Sequence, residues 1–166
     1  MSDQEIGKKM NEEKDLELYK WEYKQITGLS FNIIATTDRP DFIVYRSDDI
    51  ELGIELTKVM RDPESAFWAR VLNGEEQANP LDSAWNLQEL IYYKDKKRSE
   101  DNWQLPDRTI LLLQLMDSSI EQLASVLCEG IIKEINKTGF LEIWIGDYSN
   151  VIIHKYLRKR SFLCPE

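Results

Sequence analysis

Two acidic residues stand where acids are costly. Asp41 follows Pro40 at the head of an apolar run, Asp41-Phe42-Ile43-Val44-Tyr45, and Glu55 sits inside a second run spanning residues 50–59. Alternate residues of an extended strand share a face. Leu52, Ile54 and Leu56 therefore make a core face, and Gly53, Glu55 and Thr57 point the other way. A carboxylate in mid-strand needs a partner or a metal, because burying an unpaired charge is expensive. Ser47-Asp48-Asp49 reads as a turn. A close hairpin between the two runs would bring both carboxylates together. They repel unless a proton or a divalent cation lies between them. Mg²⁺ suits all-oxygen sites, and Mg²⁺ or Mn²⁺ bound there can activate water and stabilise charge on a phosphodiester. The ordinary alternative stays open, in which Glu55 pairs with Lys94 or an arginine as a structural ion pair.

Other reactive groups are sparse. His154 is the lone histidine, and Cys128 and Cys164 lie far apart with no histidine at ligand spacing. That excludes a disulfide framework and a structural zinc site as expectations. Chemistry must come from carboxylates, lysines and hydroxyls. Leu87, Leu90, Ile91, Lys94 and Lys97 fall along one helical stripe, so Lys94 extends a sheet-packing face toward the carboxylates. Trp103, in a polar loop, is expected to be the most exposed of the five tryptophans.

The elements that position these groups follow from periodicity and punctuation. Residues 11–27 read as a helix with Leu16, Tyr19, Tyr23 and Ile26 on one side and Gly28 as its stop. Strands are expected at 31–36, 41–45 and 50–59, and helices at 62–73 and from about Pro80 to Arg98. Residues 109–115 are almost wholly apolar, as in a strand covered on both faces. Ser118-x-x-Glu121 is a capping box opening a further helix that Gly139 stops. Strands at 140–146 and 151–156 close the chain. This order predicts one α/β domain over 1–166, with a central mixed sheet flanked by helices. The last two strands either finish the sheet or offer an edge for a homodimer.

The 166 residues carry 21 basic and 30 acidic side chains, a net charge of −9. That excludes broad non-specific binding to nucleic acid, which depends on phosphate neutralisation. It leaves room for a basic protein partner. No run approaches the ~20 apolar residues of a membrane span, and no apolar core of a secretory signal opens the chain. A cytoplasmic location is the expectation.

Pro40-Asp41, followed by Glu55-Leu56-Thr57 on the next strand, resembles the motif of the PD-(D/E)xK nuclease superfamily. The resemblance covers residues 11–115, with 116–166 as a helix and hairpin completing the domain. It implies a restriction-endonuclease-like core, Mg²⁺ or Mn²⁺ held by Asp41 and Glu55, and DNA as substrate. An acid from the first helix assists in such sites, with Glu22 the first choice and Glu17 the alternate. Thr57 stands at the family's lysine position, so Lys94 or Lys97 would have to supply that charge. Gln88-x-x-x-Tyr92 is similar to the glutamine–tyrosine motif of the RecB-like branch, which implies that these two and Thr57 contact substrate. The missing lysine also admits a catalytically degenerate member that serves as a protein-interaction, immunity-type or nucleic-acid-binding module.

Overall fold

The computed structural model describes residues 2–59, 80–116, 120, 123, 129–148 and 156–158. Its elements are α1 (Asp3–Thr27), β1 (Phe31–Thr36), β2 (Phe42–Arg46), β3 (Ile50–Val59), α2 (Pro80–Glu100), a 3₁₀ turn (Pro106–Arg108), β4 (Thr109–Leu115), α3 (Glu129–Lys137), β5 (Glu142–Asp147) and β6 (Tyr156–Arg158). The expected helix at 62–73, the Ser118 capping box, His154 and both cysteines lie outside the described residues.

The six strands form one mixed sheet in sequential order, β1 to β6. β1, β2 and β3 are an antiparallel meander. β3, β4 and β5 are parallel, and β6 returns antiparallel along β5. Parallel neighbours need crossovers, and α2 lies in the connection from β3 to β4, α3 in that from β4 to β5. This is the α/β class expected from the order of elements.

Alternation along the central strands sorts side chains into two cores. Leu52, Ile54 and Leu56 of β3, with Ile110 and Leu112 of β4, pack beneath Leu16, Tyr19 and Tyr23 of α1. Val59, Leu111, Leu113 and Leu115 face Leu87 and Ile91 of α2 and Ile135 of α3. β4 is buried along its whole length, as its apolar run requires.

The structure departs from expectation at several points. α1 begins at Asp3 rather than residue 11, because Ser2 caps it and exchanges hydrogen bonds with Glu5. Its first half buries no residue, so no apolar period announces it. β5 runs 142–147 rather than 140–146, and of the strand expected at 151–156 only residue 156 is among the described residues, where it belongs to β6. Trp103 is buried, edge-on to Phe140 at 6.4 Å between ring centres, while among the described residues Trp21 and Trp85 are the exposed tryptophans.

Candidate active site

β2 stops pairing with β3 at Phe42, opposite Ile54. Residues 55–59 of β3 therefore have no β2 partner, and Pro40 and Asp41 lie beside them. The seat for Pro40 is Gly53. A Cβ there would come within 2.5 Å of Pro40 Cγ and 2.8 Å of Thr109 Oγ1. The loop is also pinned from outside: Thr37 N–H donates to the Asp41 carbonyl at 2.9 Å, the Thr37 hydroxyl donates to the Pro40 carbonyl, and Lys9 of α1 donates to the Thr37 carbonyl at 3.2 Å.

Two hydrogen bonds tie Asp41 to β3, one of them to the Glu55 side chain. The Asp41 N–H donates to Glu55 Oε2 at 3.2 Å, and the Leu56 N–H donates to Asp41 Oδ2 at 2.9 Å. Lys94, three residues beyond buried Ile91 on α2, donates to Glu55 Oε1 at 2.6 Å. Both the expected carboxylate pair and the Glu55–Lys94 ion pair are therefore present in one arrangement.

These groups line a cavity of about 620 Å³. Its other wall is the first half of α1, with Lys8, Asn11 and Glu12, and its floor reaches Gln114 of β4. Glu12 lies between Lys8 and Lys9, at 3.7 and 3.3 Å. Gln114 donates to Asp15 at 2.8 Å. Thr57 is nine-tenths buried in the cavity wall, and its hydroxyl has no hydrogen-bond partner among the described residues. Lys58 alternates to the opposite face from Glu55, yet it too lines the cavity, which wraps around the unpaired edge of β3.

The electrostatics are set by crowding of like charge. Burial pushes the Asp41 carboxyl up to about 7. The negative charge of Glu55 adds to this and Glu12 adds less, against the Leu56 hydrogen bond and Lys9. A carboxylate so placed accepts a proton or a cation near neutral pH.

The structure separates the residues singled out from sequence. Asp41, Glu55, Thr57 and Lys94 meet in the cavity. Lys97 does not line it; its ammonium lies 5.4 Å over the Tyr93 ring and 3.8 Å from Asp101. Gln88 and Tyr92 line a different groove. Glu22 and Glu17 are absent from the cavity wall, and Glu12 is the α1 acid nearest Asp41 in effect. Ten residues of helix separate Glu12 from Glu22, roughly 15 Å of rise. The missed signal was Ser2-x-x-Glu5, a capping box that starts α1 early and draws its first half past the site.

Among the described residues no group of three or more His, Cys, Asp or Glu side chains is placed to hold a metal. Any cation here would rest on the two carboxylates of Asp41 and Glu55, completed by water or phosphate oxygens. That is how Mg²⁺ is commonly held. Against known proteins, the chain matches no family model, no curated protein and no solved structure.

Proposed function

We propose that the Asp41–Glu55 cavity binds Mg²⁺ or Mn²⁺ and hydrolyses phosphodiester bonds in DNA, as a nuclease of the PD-(D/E)xK type on a restriction-endonuclease-like core. The observation that carries this reading is the hydrogen-bonded Asp41–Glu55 pair opening on a cavity with Lys94 beside it. The donor set fits a hard cation: two carboxylates, one of them held protonatable near neutrality by its neighbours. The meander followed by a helix and a parallel strand is also consistent with that core.

A divalent cation supplies Lewis-acid polarisation of the phosphodiester and a more acidic water. The protein's own groups do the rest. Asp41 and Glu55 would hold the cation. Lys94, which donates to Glu55, would be placed to donate to a phosphate oxygen in the same cavity. Lys58 and Lys8, on the rim, balance flanking phosphates. The Thr57 hydroxyl, which has no hydrogen-bond partner among the described residues, hydrogen-bonds water or substrate oxygen where lysine is usual in the motif.

The test is cleavage of plasmid and oligonucleotide DNA with Mg²⁺ or Mn²⁺. Wild-type protein should cut, and Asp41→Asn and Glu55→Gln should lose at least ~100-fold, the scale of a lost electrostatic stabiliser. Equal activity in wild type and variants would point to a contaminant and end the reading.

Thr57 and the closed Glu55–Lys94 pair favour a second reading, a degenerate site on a non-catalytic binding or immunity-type module. It predicts no cleavage with any divalent cation, and Lys94→Met then changes stability alone.

A further inference from the structure

Gln88 and Tyr92 drew attention in the sequence but do not join the carboxylates. They line a separate groove of about 510 Å³ where α2 meets α3, with Trp85, Glu89 and Tyr93 from α2 and Glu134 from α3. Trp85, Tyr92 and Tyr93 are 63%, 65% and 52% exposed. Three large rings within nine residues of one helix leave more than half of their surface out of any core. Exposed apolar area of that kind marks an interaction surface.

We propose that this groove docks a cationic side chain, a guanidinium or ammonium group, carried on a basic segment of a partner protein. Trp85, Glu89 and Tyr92 stand at i, i+4 and i+7, one stripe roughly 10 Å long. The faces of aromatic rings carry negative potential and attract cations by ~0.5–2 kcal/mol each. One ring of this group already does so within the chain, since the Lys97 ammonium lies 5.4 Å from the centre of Tyr93. Glu89 and Glu134 add carboxylates to the lining, and among the described residues no lysine or arginine lines it. Lys137 reaches Glu134 at 3.3 Å, an exposed pair that a better-placed cation can replace. A guanidinium is the best fit, because it stacks on rings and bonds carboxylates through two donors at once.

The competing ligand is a single-stranded nucleic acid, whose bases stack on exposed rings for ~1–3 kcal/mol each. Stacking there would press phosphates against Glu89 and Glu134 on a chain of net charge −9. Like charges at contact cancel that gain, and the same field draws a basic partner in. This inference does not depend on the nuclease reading, since none of its residues lines the Asp41 cavity.

The test uses the full chain and a short acetylated peptide alternating arginine and glycine, followed by calorimetry and by NMR of the Trp85 indole and α2 amides. The peptide should shift the Trp85 indole, and replacing arginine by uncharged citrulline should weaken binding at least tenfold. The double variant Trp85→Ala/Tyr92→Ala should weaken it to a similar degree. Both positions are exposed, and Glu89→Gln/Glu134→Gln, which keeps the surface shape, should weaken it severalfold. Four results would overturn the proposal: no binding, equal binding of the citrulline peptide, shifts confined to the Asp41 and Lys94 amides, or an oligothymidylate that shifts the Trp85 indole when the arginine peptide does not.

Discussion

Two carboxylates are buried to almost the same degree on this sheet, Glu55 on β3 and Glu142 on β5, at 6% and 7% exposure. Their surroundings are opposite. Glu142 accepts from the Tyr23 hydroxyl at 2.9 Å, from Arg46 at 3.2 Å and from the Trp144 indole at 3.2 Å. Arg46 also donates to Tyr23 and holds Asp48 through two bonds. Burial and the negative charge of Glu142 hold the Tyr23 phenol well above its usual range, so it stays a donor. The rings of Tyr19, Tyr23, Phe31 and Trp144 surround this network. At the other end of α1, Glu55 faces Lys94 but also Asp41, with Glu12 near, and a cavity runs past all of them. The first arrangement is closed and complete. The second collects more negative charge than the protein around it settles, and leaves space for something positive.

The contrast would break first at Glu142. Glu142→Ala takes away the acceptor shared by Tyr23, Arg46 and Trp144 and leaves Arg46 to Asp48, and should cost about 3–5 kcal/mol in urea unfolding, at ~1–3 kcal/mol for each buried donor affected. A loss under 1 kcal/mol would mean that the network is not structural.

Gly53→Ala probes the support of the other site. Its methyl meets the Pro40 ring and the Thr109 hydroxyl, so about 1–3 kcal/mol should be lost, with the Asp41 loop displaced. Unchanged stability together with unchanged amide shifts at Asp41 would remove Gly53 from the account.

Asp41→Asn should act with the opposite sign. The folded pKa of Asp41 is raised from 3.8 to about 7, so the folded state holds a proton that the unfolded chain releases. The stability linked to that proton is full below about pH 4 and is lost as pH rises through 7. The substitution should therefore leave stability near pH 4 almost unchanged and raise it by roughly 1–2 kcal/mol at pH 8. A variant less stable than wild type at pH 8 would show Asp41 to be structural like Glu142.

Lys94→Met should have the smallest effect, about 1–2 kcal/mol, because Glu55 retains the Asp41 N–H and can turn to the cavity. A loss as large as that of Glu142→Ala would make Glu55–Lys94 a second closed pair.

The contrast also separates what periodicity could and could not reveal. β3 and β4 were legible because their apolar runs are long, and Gly53, Glu55 and Thr57 share a face as alternation requires. Lys94 was legible because it continues the Leu87–Ile91 stripe. Glu12 was not, because the first half of α1 carries only Ile6 and Met10 as large apolar side chains, both exposed, and its cap is what marks it. Glu142 was not either. Its partners Tyr23 and Arg46 are 119 and 96 residues away, and no local pattern encodes a contact made by folding. Gln88 and Tyr92 share the helix of Lys94 but face α3, so a linear motif merged two surfaces that the helix keeps apart.

The most direct test of the central claim is Mn²⁺ binding, followed by calorimetry at about pH 5.5 and about pH 8 for wild type, Asp41→Asn and Glu142→Gln. A cation entering the Asp41–Glu55 cavity must displace the Asp41 proton, so wild-type affinity should rise roughly thirtyfold between the two conditions. Asp41→Asn should abolish binding at both, and Glu142→Gln should leave it unchanged if the variant is folded. Equal binding by wild type and Asp41→Asn, or none by either, would contradict the account.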